Sequence, residues 1–272
     1  MTETELKFQI PHPARHLVRR AVAANRARVT PLQAVYVDSA DRRLAAAAMA
    51  LRLRREGRHW VQTLKGRGDG LMARLEDEVQ VRHSGREAPA RDATRHAGTP
   101  IGERLLDLLS DGTPLLAVYT TEIQRTHRVL RVGAARIELA HDRGFIRAAG
   151  RRLPVDELEF ELKAGEPAAL VATAARWVQR FGLWWDVRTK SERGHRLAAG
   201  QAGRDAVQSD HALLQALANG AELAEGLGDH AHVAAWRAAL FRLGLSHLDS
   251  ADPAVAARSR ALNAALLARV LS

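Results

Sequence analysis

The chain has 272 residues, enough for one large core with a smaller second unit or for two modest domains. Its formal charge of +10, from 41 Lys and Arg against 31 Asp and Glu, predicts an anionic partner. It has no cysteine, which excludes disulfides, thiolate metal sites and a cysteine nucleophile. The charged N-terminus does not match a signal sequence, and no uncharged apolar run approaches the roughly 18 residues of a bilayer span. We therefore expect a soluble, cytoplasmic protein with no membrane partner.

The basic excess is unevenly distributed along the chain. Residues 205–272 hold seven acids against five arginines, a net charge of −2, so residues 1–204 carry +12. The segment Gly200–Gly203 is the best candidate for a linker, and the residues after it are rich in Ala and Leu with helical periodicity. We therefore predict a domain over residues 1–200 and a small all-α segment over residues 201–272.

The first 200 residues mix strand and helix patterns, which predicts an α+β fold. Strands are predicted at Glu3–Ile10, Gln33–Val37, Leu51–Arg54, Trp60–Lys65, Arg74–Val81, Val118–Arg131, Ala135–Asp142, Phe145–Arg147 and Glu157–Lys163. Helices are predicted at Ala14–Ala24, Ile101–Leu109 and Pro167–Phe181, the last with a proline in its first turn.

The predicted strands have one apolar face and one face with charges of both signs. In the first strand Glu3, Glu5 and Lys7 share one face, while Leu6 and Phe8 share the other. A half-solvated antiparallel sheet would explain any one such strand. Acids two residues apart on one face repel each other unless a cation compensates them, and the Glu-x-Glu pattern recurs in several strands. The set therefore favours a shared cation site.

Taken in order, these motifs resemble the signatures of the CYTH family, the triphosphate tunnel metalloenzymes. The matching elements are Glu3-x-Glu5-x-Lys7, Tyr36-x-Asp38-Ser39, Leu51-Arg52-x-Arg54, Thr63-x-Lys65, Arg74-x-Glu76-x-Glu78, the arginines Arg125 and Arg128, Glu138-x-Ala140-x-Asp142, Asp156–Lys163, and Lys190-x-x-Arg193-Gly194, in which Thr189 stands where serine is usual. The resemblance spans residues 1–198.

The resemblance implies a closed eight-stranded antiparallel β-tunnel with a charged lumen and helices outside. Such a lumen is costly unless it is filled, because buried charges need partners. Family members hydrolyse inorganic triphosphate or thiamine triphosphate, or cyclise ATP. A triphosphate chain and a divalent metal would supply the missing partners.

The resemblance and the chemistry of phosphate transfer together suggest residue roles. Fixed cations hold phosphate oxygens, carboxylates hold hard divalent metals, and phosphoryl transfer needs no protein nucleophile. The predicted substrate-binding residues are Lys7, Arg52, Arg54, Lys65, Arg74, Arg125, Arg128, Lys163 and Lys190, with the strand register of Arg125 ambiguous. The predicted ligands of Mg²⁺ or Mn²⁺ are Glu3, Glu5, Glu157, Glu159 and Glu161. The predicted catalytic residues, which would hold a second metal or orient the attacking water, are Glu76, Glu78, Glu138 and Asp142.

The predicted function is metal-dependent hydrolysis of a triphosphate, with inorganic tripolyphosphate preferred. The alternatives are a non-catalytic polyphosphate- or nucleotide-binding module, a thiamine triphosphatase, and an adenylate cyclase of the same fold. A nucleic acid partner is disfavoured, because carboxylates interleaved with the arginines would repel a phosphate backbone. The glycine-rich stretch Gly66–Gly70 lacks the pattern of a nucleotide P-loop.

Within the C-terminal segment, His232–Leu243 faintly resembles the first signature helix of the CHAD domain, a helical bundle that binds polyphosphate. The stretch lacks that domain's doubled arginines, and the segment is short and acidic. We therefore favour a truncated or degenerate appendage that acts as structural support or as a homodimer surface over one that binds polyphosphate.

Overall fold

A computed structural model describes residues 2–10, 12–24, 26–67, 73–186 and 189–200. The strands are β1 (Thr2–Gln9), β2 (Arg28–Asp38), β3 (Met49–Glu56), β4 (His59–Arg67), β5 (Ala73–Val81), β6 (Leu116–Val132), β7 (Ala135–Ala148), β8 (Arg151–Ala164) and β9 (Trp184–Trp185). The helices are α1 (Arg15–Val22), α2 (Arg43–Ala46), α3 (Pro100–Leu108), α4 (Pro167–Phe181) and α5 (Lys190–Ala198). The predicted helical segment 201–272, with its CHAD-like stretch, lies outside the described residues.

Eight antiparallel strands form a closed barrel. Their order is β5-β4-β3-β2-β6-β7-β8-β1, and β1 also pairs with β5, with Glu3 opposite Arg74. The short strand β9 extends the sheet from β1. The predicted closed eight-stranded antiparallel β-tunnel with external helices is therefore confirmed. None of the helices in the described part of the chain is long and apolar enough to span a membrane.

The apolar faces of the strands pack outward against the helices. Leu6 and Phe8 of β1 and Phe160 of β8 are fully buried in one cluster with residues of α1 and α4. A second cluster joins β2, β3 and β4 to α2 and α3 and contains Leu51 and Leu105. Burial of each large apolar side chain contributes about 1.5–3 kcal/mol. The helices therefore cover the outside of the barrel, and the charged faces of the strands point into its lumen.

A third apolar cluster lies inside the barrel rather than outside it. Tyr36, Tyr119, Ile123 and Val155 pack with Leu197 of α5. The rings of Tyr36 and Tyr119 stack with their centroids 4.5 Å apart. These residues follow the lumen-facing register of their strands, since Tyr36 pairs with Tyr119 and with Arg52. Helix α5 and this cluster therefore close one end of the tunnel.

Several features of the fold differ from the sequence-based expectation, including the unpredicted helix α2 and strand β9. The predicted strands Ala135–Asp142 and Phe145–Arg147 are one continuous strand, β7. Strand β8 begins at Arg151, six residues before the predicted start. Helix α5 was not predicted, although it closes the tunnel.

Candidate functional site

The charged residues of the site come from the lumen-facing positions of most of the barrel strands. The strand register places acids of neighbouring strands opposite each other. Glu161 of β8 lies opposite both Glu5 of β1 and Glu138 of β7. Glu3 of β1 and Glu76 of β5 lie on either side of Lys65 of β4. We call Glu3, Glu5, Glu76, Glu138 and Glu161 the outer acids, because their side chains keep 10–22% of their surface exposed.

The outer acids carry more negative charge than the bases beside them balance. Lys65 Nζ lies 2.5 Å from Glu3 Oε2 and 3.2 Å from Glu76 Oε1, and Arg74 Nη1 lies 3.2 Å from Glu5 Oε1. Burial works to raise the pKa of Glu3, but the Lys65 ammonium outweighs it and holds that pKa below its ordinary value. Burial, reinforced by the adjacent Glu3 carboxylate, raises the pKa of Glu76 to about 7. Neighbouring carboxylates that repel each other mark a place where a cation fits.

Glu161 shows the same excess of negative charge. Burial, together with the charges of Glu3 and Glu138, raises its pKa above the ordinary value, although Lys163 Nζ lies 2.5 Å from its Oε1. Lys163 itself is 39% exposed, so it stands at the open rim of the tunnel. The predicted substrate-binding position of Lys163 is thus at the entrance rather than deep in the lumen.

Asp142, Glu157 and Glu159, which we call the inner acids, are paired with three cations. Lys190 Nζ lies 2.7, 2.5 and 2.7 Å from oxygens of Asp142, Glu157 and Glu159. Arg125 donates to both oxygens of Asp142, at 2.7 and 2.8 Å, and also to Glu159. Arg193 donates to Glu157 at 2.8 Å. Three acids and three bases leave this group balanced.

Charge balance gives the inner acids the opposite electrostatic behaviour. Burial works to raise the pKa of Glu159, but the Lys190 and Arg125 charges hold it well below the ordinary value. The same two cations outweigh burial at Asp142 and lower its pKa. Burial alone would lower the pKa of Lys190, but the three carboxylates hold it well above the usual range.

The first turn of α5 brings Lys190 into the lumen. Thr189 Oγ1 accepts from the Glu192 backbone N–H at 2.9 Å, and the Glu192 carboxylate accepts from the Thr189 N–H at 2.6 Å, which completes a capping box. A threonine therefore does the same work as the serine usual at this position. A Cβ on Gly194 would lie 2.3 Å from the Tyr119 ring, so only glycine allows this close approach.

Strand β3 contributes two lumen cations, Arg52 and Arg54, of which Arg54 also forms an ion pair with Glu56. Arg52 Nη1 lies 3.3 Å from the Tyr36 hydroxyl, and Arg52 and Arg54 lie 3.9 and 3.5 Å from Glu78 Oε1. Glu78 also accepts from Thr63 Oγ1 at 2.9 Å. Among the described residues, the Nε–H groups of both arginines are buried without a hydrogen-bond partner. Burial and the charge of Arg52 lower the pKa of Arg54, as expected where cations are crowded together.

The structure places most predicted site residues on the lumen face but moves Arg128 out of the site. Side chains alternate along β6, so residues three apart face opposite sides. Arg125 faces the lumen, whereas Arg128 packs against α1 and donates to the Ala21 carbonyl at 3.0 Å. The predicted phosphate-binding role of Arg128 is therefore not favoured by its position, and Arg125 takes the lumen position. Lys7 also faces the lumen, opposite Glu159, and is 4% exposed.

The sequence-based prediction did not include two residues that face the lumen, His127 and Tyr119, or Arg193, which binds an inner acid. His127 lies two residues after Arg125 on the same face, with Nδ1 3.7 Å from Glu138. Tyr119 contributes its stacked ring and a hydroxyl that donates to Ser191 at 3.0 Å. Arg193 had been noted only as part of a motif. The alternation of β6 could have revealed His127, and the Thr189-x-x-Glu192 spacing could have revealed the helix that carries Arg193.

The inner and the outer acids are both candidates to hold a divalent metal, and they differ in what already surrounds their carboxylate oxygens. One oxygen of each inner acid lies within 4.8 Å of the others, which is a suitable spacing for ligation. However, the Lys190 ammonium already lies among these oxygens, and Glu157 is fully buried against Lys190 and Arg193. Among the outer acids, burial and neighbouring carboxylates raise the pKa values of Glu76 and Glu161, so an added cation would be favourable there. The predicted metal role of Glu157 is thus not favoured by its surroundings.

Comparison with known proteins agrees with this architecture. Residues 1–182 match the CYTH domain. The chain belongs to the CYTH domain family. An inorganic triphosphatase from Haemophilus influenzae is 29% identical over 169 residues, which cover 61% of this chain and 46% of that protein. This CYTH protein therefore spans about half the length of that relative.

Solved structures resemble the CYTH chain in fold. HpAC1 from Hippeastrum, an adenylyl cyclase candidate described as having a dominant triphosphatase activity, is 19% identical with a TM-score of 0.49, covering 71% of this chain and 94% of its own. An adenylate cyclase candidate from Bacillus halodurans is 15% identical with a TM-score of 0.43, covering 66% and 89%.

Proposed function

We propose that this CYTH protein is a metal-dependent triphosphatase that cleaves inorganic tripolyphosphate into pyrophosphate and orthophosphate. The observation that carries the proposal is the pair Arg52 and Arg54, which present buried Nε–H donors without partners inside a lumen. An unpartnered buried donor costs about 1–3 kcal/mol, and more when it is charged. An anion with several oxygens would satisfy both guanidinium groups at once.

Five lumen cations are suited to hold a chain of three phosphates. They come from β1, β3, β4 and β5 and line one side of the lumen: Lys7, Arg52, Arg54, Lys65 and Arg74. Arg125 and Lys190 border this set, but the inner acids already neutralise them. In this proposal they set the position of α5 and the inner limit of the bound chain.

A bound Mg²⁺ or Mn²⁺ would be held by carboxylates of the outer acids, chiefly Glu3, Glu5, Glu138 and Glu161. The ion would neutralise phosphate charge and lower the repulsion between the substrate and these acids. The lumen cations and the outer acids would thus bind opposite parts of one metal-phosphate complex.

The proposed reaction is an in-line displacement by water. The water oxygen forms a bond to the terminal phosphorus, the bridging P–O bond breaks, and its electron pair leaves with pyrophosphate. The proton of the water passes to a lumen carboxylate. Glu76, Glu78 and Glu138 face the lumen and are the candidates to orient the water, whereas Asp142 is held by a bidentate contact to Arg125. No covalent intermediate with the protein is required.

The burial of the apolar lumen residues against one another supports a preference for an inorganic phosphate chain over a nucleotide. Tyr36, Tyr119, Ile123 and Val155 are each at most 6% exposed and pack on one another and on Leu197. Along the described part of the lumen, this cluster leaves no apolar surface for a purine. The remaining lumen is charged.

The test is product analysis with tripolyphosphate, ATP and thiamine triphosphate, each with Mg²⁺, Mn²⁺ or EDTA. We expect EDTA-sensitive release of orthophosphate, with tripolyphosphate giving the highest kcat/KM. Cyclic AMP and pyrophosphate from ATP without orthophosphate would show a cyclase instead. Binding of all three without any product would show a binding module.

A further inference from the structure

A concave surface outside the barrel is lined almost entirely by basic side chains. We call Arg55, Arg58, Arg82, His83 and Arg86 the outer arginine patch. Together with Ser84 and Gly85 they surround an open concavity of about 790 Å³. None of the lining residues is acidic, so the patch is a concentrated positive charge.

The four guanidinium groups of the patch are also uncompensated. Among the described residues, none of them makes an ion pair or a side-chain hydrogen bond, and the Nε–H of Arg55 is buried without a partner. Arg43 of α2 is different, because it lies 2.9 Å from Asp41 and 2.8 Å from Asp111. Four like charges held together without partners repel each other, and a multivalent anion would relieve that repulsion.

The patch is held in place by a buried tryptophan. Trp60 of β4 pairs with Arg55 of β3 and with Val81 of β5, which places the hairpin beside the segment that follows β5. The Trp60 indole N–H donates to the Gly85 carbonyl at 3.0 Å, and its ring makes an edge contact with His83. Because Trp60 is only 4% exposed, it forms a rigid base under the concavity. The surface is therefore assembled before any ligand binds.

The patch lies outside the lumen but close to the lumen cations of β3. Arg54 faces the lumen, and Arg55, the next residue, faces outward. Strand β3 ends at Glu56, and Arg58 follows in the turn to β4. The lumen cations and the outer arginine patch thus come together at the end of the hairpin formed by β3 and β4.

We propose that the outer arginine patch is a second, non-catalytic binding site for linear inorganic polyphosphate. That the ligand is a multivalent anion follows from the patch alone, whereas the choice of a phosphate chain rests on the proposed function. Nucleic acid is disfavoured because the only indole here, Trp60, is buried and cannot stack on a base.

The experiment measures binding of a labelled medium-chain polyphosphate by fluorescence anisotropy in EDTA, over a range of salt concentrations. The patch variant is Arg58→Gln with Arg82→Gln, two exposed arginines. The matched control is Arg19→Gln with Arg20→Gln, two exposed arginines of α1 that remove the same charge elsewhere. A tunnel variant, Lys65→Ala, reports on binding in the lumen.

We expect the patch variant to bind polyphosphate at least about tenfold more weakly. The slope of the logarithm of the binding constant against the logarithm of the salt concentration should be smaller in magnitude by about 0.7 per lost phosphate contact. The α1 control should bind like the wild type, and the Lys65→Ala variant should keep most of its polyphosphate affinity. Turnover of tripolyphosphate should change less than twofold in the patch variant. If the wild type binds polyphosphate through the patch but hydrolyses no triphosphate, the proposed function fails and the patch stands.

Three outcomes would overturn the inference. Equal losses in the patch variant and the α1 control would show a general charge effect. Loss of binding in Lys65→Ala alone would place the polymer in the tunnel. Tighter patch-dependent binding of a single-stranded RNA oligonucleotide than of polyphosphate would identify the wrong class of polyanion.

Discussion

The outer and inner acids occupy the same lumen but differ in charge balance. The inner acids face three cations within hydrogen-bond distance, and the pKa values of Asp142 and Glu159 are lowered. The outer acids have fewer bases, and the pKa values of Glu76 and Glu161 are raised. A balanced buried cluster has no need of a ligand, whereas an unbalanced one does. We therefore infer that the inner acids anchor α5, and we propose the outer acids as the place for an added cation.

The largest expected effect is on kcat/KM, which should fall when a lumen cation is removed and change little when an outward-facing arginine is removed. Arg52→Ala should lower kcat/KM for tripolyphosphate about 10²–10³-fold, because a preorganised charge that contacts the reacting phosphates is lost. Arg128→Ala, on the same barrel but facing α1, should change kcat/KM by no more than a few-fold. Steady-state kinetics at saturating metal measure both. Equal losses in the two variants would remove the distinction between lumen and outer face.

The next effect concerns stability and tests whether Lys190 is an anchor. Lys190→Met leaves three inner acids with one cation fewer in a buried site, which should cost about 3–5 kcal/mol of unfolding free energy. Glu161→Gln removes an outer acid whose pKa is raised by burial and by neighbouring acids, and it should leave stability unchanged or increase it. Urea titration in EDTA compares the two variants. A Lys190→Met protein as stable as the wild type would show that the inner acids do not hold α5 in this way.

A pH effect follows from the raised pKa of Glu76. Its folded-state pKa of about 7 lies above the unfolded value, so the folded protein binds the extra proton, and the destabilisation by the charged form grows as pH rises from about 4.5 to 7. Glu76→Gln removes this term. Its stability relative to the wild type should therefore increase with pH, by about 3 kcal/mol in total without metal. Urea titrations at pH 5 and 7.5 measure this difference, and a constant difference would contradict it.

The smallest expected effect tests the cap of α5. Thr189→Ala removes the side-chain acceptor for the Glu192 N–H and should cost about 1 kcal/mol. Thr189→Ser keeps a hydroxyl and should be close to neutral. Thermal unfolding of the three proteins is sufficient. Equal destabilisation by Ala and Ser would point to the threonine methyl group instead of the cap.

Local patterns predicted the barrel well but not the tertiary arrangement of the site. Alternation along each strand placed Glu3, Glu5, Arg52, Arg54 and Lys65 on the charged face, since that property depends only on neighbouring residues. The ambiguity between Arg125 and Arg128 arose because a motif, unlike an alternation count, does not specify which face each residue occupies.

The role of Lys190 depends on contacts that no spacing reveals. Its position among the inner acids requires α5 to pack against the apolar cluster through Leu197 and to approach Tyr119 at Gly194. These contacts join residues more than 40 positions apart in the sequence. The sequence therefore indicated a basic residue near phosphate, whereas the fold places it against three carboxylates.

The most direct test of the account is Mn²⁺ binding followed by electron paramagnetic resonance. We compare the wild type with two variants: Glu5→Gln with Glu161→Gln among the outer acids, and Asp142→Asn among the inner acids. The account predicts that the outer double variant loses Mn²⁺ affinity by an order of magnitude or more, while Asp142→Asn retains it. Loss of Mn²⁺ in Asp142→Asn, with the outer double variant unaffected, would place the metal at the inner acids and contradict the account.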